Sequence, residues 1–133
     1  MRRFIVYGLL GWSLEIIWTG LGSLLTGDVR LTAWTYLWMF PIYGLGIALE
    51  PLHDRIAGLP WAARGLIWMM VFFAIEYATG WSIRVLVGVS PWNYAGAKWN
   101  IDGLIRLDYA PVWFIIGLAF ERVHDFLRCR RVA

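Results

Sequence analysis

Charge and thiol groups are both scarce in this chain. Only 16% of its 133 residues are charged, against about a quarter in an average soluble domain, while 60% are apolar. A soluble fold of this length has too little interior for that much apolar surface, whereas a bilayer accepts it. The single cysteine, Cys129, excludes an internal disulfide. It lies in the basic run Arg128-Cys129-Arg130-Arg131, where a thiol can be acylated in eukaryotes or simply stay reduced. No P-loop, Cys-x-x-Cys or Ser-His-Asp pattern is present, so the chain is not the ATPase of a transporter. The pI of about 9.4 does not mark a nucleic-acid binder, because the basic residues are scattered at helix ends rather than gathered in one patch.

Aromatic residues, by contrast, are abundant. Ten tryptophans fit a protein with two membrane interfaces, where Trp and Tyr anchor. Four apolar stretches predict helices over about 4–25, 34–56, 61–87 and 111–127, joined in one transmembrane domain of residues 1–133, with a long connection at 88–110. The second helix ends near Ile56 and begins between Thr32 and Pro41. The start Met1-Arg2-Arg3 superficially matches a signal peptide, but the apolar run continues to about Leu25 and carries Glu15, so a retained membrane helix is expected. Arg2, Arg3, Arg55, Arg64, Arg122, Arg128, Arg130 and Arg131 fall on one side of these spans, and Arg30, Arg84, Lys98 and Arg106 on the other. The excess places both termini in the cytoplasm of a multi-pass cell-membrane protein. Trp34, Tyr36, Trp38, Trp81, Trp92, Tyr94, Trp99 and Trp113 then form an aromatic belt on the outer side.

The chain also repeats itself. Gly46-Ile47-Ala48-Leu49-Glu50-Pro51-Leu52-His53-Asp54 aligns without a gap on Gly117-Leu118-Ala119-Phe120-Glu121-Arg122-Val123-His124-Asp125, with five of nine positions identical. Glu15 then corresponds to Glu76. The expected architecture is all-α, an integral membrane four-helix bundle of two pseudo-repeated hairpins running in the same sense.

All four glutamates and both histidines fall in expected membrane helices, in the order Glu, Glu-x-x-His, Glu, Glu-x-x-His. This is the ligand order of dinuclear carboxylate bundles. Residues three apart share a helical face, so Glu50 with His53 and Glu121 with His124 can each aim at one metal. Glu15 and Glu76 can bridge or complete the shells. Carboxylate and imidazole suit iron or manganese, and zinc less well. If the second and fourth helices start at Pro41 and Pro111, all four carboxylates lie in one layer, about 14–15 Å below the outer end for Glu50 and Glu121. A start near Thr32 would separate the layers. Gly8, Gly11, Glu15, Thr19 and Gly22 make a small, polar stripe on the first helix, and Gly46 and Gly117 each precede a Glu by four residues, which favours close helix approach. Pro51 removes a backbone donor beside Glu50 and is expected to kink the helix there. Tyr7, Tyr43 and Tyr77 are candidates to support the site. Asp54 and Asp125 are expected to point away and pair with arginines.

Metal-dependent redox chemistry on a small or lipid-like substrate is the leading reading. A permease moving a metal ion, a proton or a small solute along the glutamates is the alternative, and a structural membrane subunit the third. In that third case Glu and His pair with Arg55, Arg64, Arg122 or Arg128. Whether the chain is an enzyme stays open, and no catalytic residue is assigned. The lipid bilayer is the first partner, and a second copy or a partner membrane subunit is compatible with the chain. Asn93, Asn100, Asp102 and Asp108 are either lid or ligand residues, or turn and hairpin residues.

Several motifs together resemble a known family: Tyr7-Gly8-x-x-Gly11-Trp12-x-x-Glu15, Phe40-Pro41-Ile42-Tyr43-Gly44, Glu50-Pro51-Leu52-His53, Glu76-Tyr77-x-Thr79-Gly80, Pro91-Trp92-Asn93-Tyr94 and Asn100-Ile101-x-Gly103. They are similar to the CmpB-type "ABC-transporter type IV" small membrane proteins of bacteria, and to a group of small eukaryotic transmembrane proteins. The resemblance spans nearly the whole chain and implies a permease-like membrane protein, without implying any catalytic residue. The arginine asymmetry predicts that a membrane-impermeant thiol reagent applied to intact cells leaves Cys129 unlabelled and reaches it only after permeabilisation; labelling from outside would reverse the topology.

Overall fold

The structure, a computed structural model, describes residues 1–130; Arg131, part of the basic tail weighed above, lies outside the described residues. The described chain is all-α apart from one two-stranded ribbon. Helix α1 spans Arg2–Leu25. The second helical stretch runs over 39–56 in three pieces: α2 at Met39–Gly44, a 3₁₀ segment at Leu45–Leu49, and α3 at Glu50–Ile56. Helix α4 spans Trp61–Val87 and α5 spans Ala110–Cys129. Between α4 and α5 lie strands β1 (Asn100–Ile101) and β2 (Ile105–Arg106), then a 3₁₀ turn at Leu107–Tyr109. The chain divides into two compact units, Met1–Pro51 and Leu52–Cys129. Each is built on one pair of helices in contact, α1 with α2 and α4 with α5.

The breaks in the second stretch have identifiable causes. Pro41 sits in the first turn of α2, where a missing N–H costs nothing. Pro51 cannot donate to the carbonyl four residues back, and the tighter 3₁₀ turn ends immediately before Glu50, so the helix type changes beside the proline. The stretch begins at Met39, within two residues of Pro41, and α5 begins one residue before Pro111. Residues 26–38 form no helix. Asp28 holds this segment by accepting from the backbone N–H groups of Arg30 and Thr32, and Trp34 exchanges bonds with the Thr19 hydroxyl on α1.

Helices α1 and α4 are long and apolar enough to cross a membrane, with mean hydropathies of 1.5 and 1.4. Only 17% and 22% of their most apolar windows are buried within the chain, so most of that apolar surface faces outward. The second stretch is divided into short pieces, and α5 carries Glu121, Arg122, Asp125 and Arg128 in its second half, which keeps it from the same criterion. Part of the expected aromatic belt is exposed: Trp34, Trp38, Trp81 and Trp99 all lie at the surface. Tyr94 and Trp113 are half-buried, and Trp92 departs furthest from the expectation. It is buried at 7% exposure and has a packing role described below.

In each unit an aromatic side chain lies over a glycine of the facing helix. In the first unit, Phe4 covers Gly44, Phe40 covers Gly8 and Tyr43 covers Gly11. In the second, Phe114 covers Gly65, and Trp68, fully buried, covers Gly117. Trp68 stands edge-on to Phe120, with ring centroids 5.0 Å apart. These glycines admit bulk rather than unusual backbone angles, so a methyl group at most of them meets a ring. At Gly117 an added Cβ would overlap the Trp68 side chain, while at Gly22, another member of the expected stripe, it would meet nothing within 4 Å. Gly117→Ala should therefore cost about 1–3 kcal/mol by overpacking, and Gly22→Ala should leave stability unchanged, as measured by thermal unfolding in a mild detergent.

Candidate metal centre and carboxylate clamps

The four glutamates are held in two ways. Glu50 takes a charged bond from Arg3, Nη1 to Oε2 at 2.7 Å, and a second from the Tyr7 hydroxyl to Oε1 at 2.9 Å. Glu121 takes Arg64 Nε at 3.0 Å from both of its oxygens, and Trp68 Nε1 to Oε1 at 2.8 Å. Arg64 also donates to the carbonyl of Leu59 at the α3–α4 turn. The two clamps are built alike: an arginine in the first turn of the longer helix, an aromatic donor one turn later, and a carboxylate on the partner helix. Arg3, Tyr7 and Glu15 correspond to Arg64, Trp68 and Glu76 at one common offset, as Glu50 and His53 correspond to Glu121 and His124 at another. The repeat thus extends from the sequence into the hydrogen bonds.

Glu15 and Glu76 receive neutral donors. Tyr43 donates to Glu15 Oε2 at 3.0 Å. Tyr94 donates to Glu76 Oε1 at 3.1 Å, and Trp113 Nε1 to Oε2 at 3.2 Å. Of the three tyrosines expected to support the site, Tyr7 and Tyr43 do hold glutamates, whereas Tyr77 bonds to Asp102 at 2.7 Å.

The two histidines come together. Their ring centroids are 4.7 Å apart, edge to face, and both are buried, His53 at 7% and His124 at 2% exposure. Between them stands Asp54. Its Oδ1 lies 3.4 Å from His53 Nδ1 and 3.6 Å from His124 Nε2, and it accepts from Arg128 Nη1 at 2.9 Å. The expectation for Asp54 is thus half right: it pairs with an arginine, but it also faces both imidazoles. Its side chain turns back toward His53, a reach that sequence spacing alone does not reveal. Asp125 Oδ1 lies 3.8 Å from His53 Nε2, so it too stays near the pair.

One ligand atom from each of His53, Asp54 and His124 lies within 4.8 Å of the others. Two neutral imidazoles and one carboxylate form a donor set that iron, manganese and zinc all accept. Metal bonds of about 2.0–2.2 Å require these side chains to close in slightly. A shallow cleft lined by His53, Ala57, Arg64, Glu121, Arg122 and Asp125 opens beside the site. Among the described residues this is the group that could hold an ion; sequence reasoning supplied the two histidines and passed over the aspartate.

Glu121 is 4% exposed, so its charge depends on Arg64. Removing one partner of such a buried pair costs about 3–5 kcal/mol, far more than replacing both with apolar groups. Arg64→Ala should therefore lower the unfolding midpoint sharply in detergent, and the double variant Arg64→Met with Glu121→Leu should recover most of the loss.

No solved structure matches the chain. The family described as "Putative ABC-transporter type IV", the CmpB-type family, matches over residues 3–131, and with nearly its whole length covered the chain belongs to that family of membrane proteins.

Proposed function

We propose that this protein is a multi-pass membrane protein of the transporter family that binds a divalent transition metal through His53, Asp54 and His124. The observation that carries the reading is the convergence of two buried imidazoles and a carboxylate within 4.8 Å. Imidazole and carboxylate together are ligands that a divalent iron, manganese or zinc ion accepts, and Asp54 is shared between the two rings and Arg128. All four helical stretches cross the bilayer in this reading, with both termini in the cytoplasm. The clamps support a mononuclear site: Glu50 and Glu121 already have the cationic partners Arg3 and Arg64, so neither requires a metal to offset its charge.

The larger form of the proposal is the dinuclear iron or manganese centre of Glu15, Glu50, His53, Glu76, Glu121 and His124. It needs Glu50 and Glu121 to leave their arginines when metal enters. Stoichiometry separates the two. The mononuclear site gives about one metal per chain in elemental analysis of protein purified in mild detergent. His53→Ala, His124→Ala or Asp54→Ala should each lower metal affinity by about tenfold or more, and Glu15→Gln should not. Two metals per chain, lost with Glu15→Gln, would establish the dinuclear form. Failure to bind any of the three ions when they are supplied would overturn both.

Redox chemistry and transport differ in the step after binding. Three protein ligands leave coordination positions open, as an oxygen-activating iron requires, and the family description favours passage of a solute. Oxygen uptake by the iron-loaded protein would mark the enzyme. Metal flux into proteoliposomes, abolished by His124→Ala, would mark the transporter.

A further inference from the structure

The connection between α4 and α5 has far more internal structure than a linker needs. Asp102 and Gly103 both have positive φ, 53° and 68°, and the Leu104 N–H returns to the Ile101 carbonyl at 2.9 Å. That is a type I′ turn, for which Asp-Gly is a preferred pair. Asn100 braces it by accepting from Gly103 N–H and donating to the Ala97 carbonyl, and Asn93 makes a local turn by accepting from Ala95 N–H. Arg106 sits over the Tyr109 ring at 4.2 Å and pairs with Asp108, and the guanidinium holds that carboxyl below its ordinary range. These polar residues are occupied with shaping the loop.

The shaped loop is then fastened to α4 at three places. Its apolar centre is Leu104, fully buried, with Trp92 donating its indole N–H to the Leu104 carbonyl. Both side chains rest on Gly80, where an added Cβ would stand 3.0 Å from each. On one side Asp102 accepts from the Tyr77 hydroxyl at 2.7 Å, and its backbone carbonyl accepts from Arg84. On the other side Tyr94 donates to Glu76. Glu76 thus meets a loop residue with one oxygen and Trp113 of α5 with the other.

We propose that residues 88–110 form a latched lid over the Glu76 carboxylate. The Tyr94 phenol is the latch, the Asp102–Tyr77 bond is the second fastening, and Trp92 with Leu104 is the plug seated on Gly80. When the lid lifts, Glu76 becomes available to protons and small cations from the water on that side. A glycine at position 80 is what lets the plug seat, and hydroxyls at Tyr94 and Tyr77 are what keep it seated. The lid stands independently of whether His53 and His124 carry a metal.

Chemical access to Glu76 tests this. The full chain in proteoliposomes is treated with a water-soluble carbodiimide and a small amine, and the modification of each carboxyl group is followed by mass spectrometry. Asp108, exposed in the loop, is the internal standard. In the wild type Glu76 should react more slowly than Asp108 by about tenfold or more, since the covering loop must lift first, whereas the Asp108–Arg106 pair lies in water, where such a pair is weak. Tyr94→Phe keeps the ring and removes the latch, and should raise the Glu76 rate about tenfold while leaving Asp108 unchanged. Tyr77→Phe should raise it as well. Gly80→Ala, which wedges the plug from below, should have the same effect without touching any of these hydrogen bonds. Wild-type Glu76 reacting as fast as Asp108 would overturn the lid, and so would an unchanged Glu76 rate in all three folded variants. Metal content measured in the same samples should stay constant, so failure of the lid and failure of the metal site are separate results.

Discussion

A carboxylate on an apolar helix must be given a counter-charge or strong donors, and the organisation of this protein follows from how that requirement is met. A bare anion in such a setting costs several kcal/mol. Here each glutamate is answered from within its own helical unit, two by arginines and two by neutral phenol or indole donors. The placement of the arginines is informative because it is locally unfavourable. Arg3 and Arg64 lie in first turns of helices, the positive end of the helix dipole, where a cation loses about 0.3–1 kcal/mol. Their partners Glu50 and Glu121 offset that loss. The bifurcated bond from Arg64 Nε to both Glu121 oxygens also ties one helix to the other.

The glycine contacts complete the same design. Lipid is as apolar as leucine, so membrane helices associate through close packing rather than through escape from water. Rings laid over Gly8, Gly11 and Gly44 in one unit and over Gly65 and Gly117 in the other provide that packing. Trp68 does both jobs: its ring fills the space over Gly117 and its N–H supports Glu121. Tyr7 has the corresponding hydroxyl on Glu50. At Trp68 polar and apolar adhesion thus come from one side chain, as they do at Tyr43, which covers Gly11 and donates to Glu15.

The helices were legible because apolar runs and prolines mark them directly: α1, α4 and α5 fall within a few residues of expectation, and the change of helix type comes just before Pro51. The repeat was legible from nine aligned residues. The ribbon at Asn100–Arg106 was legible only as a hairpin alternative for Asn100 and Asp102, since two-residue strands leave no periodicity to place them. At the site, the six Glu and His residues were visible as a pattern, and their immediate partners largely were not. Arg64 was weighed as a partner; Arg3 and Trp68 could have been found by asking what else recurs at the offset relating Glu15 to Glu76. Asp54 escapes its sequence spacing, which gives the direction of a Cβ and not the reach of the carboxylate beyond it.

Both partners of the first clamp lie within Met1–Pro51, and both partners of the second within Leu52–Cys129. Synthesis proceeds from the N-terminus at about 5–20 residues per second, so the leading hairpin has everything it needs to lock its own register several seconds before the trailing one emerges. In the topology proposed above, each half would enter the bilayer with its glutamates already answered, none left waiting for a distant stretch of chain.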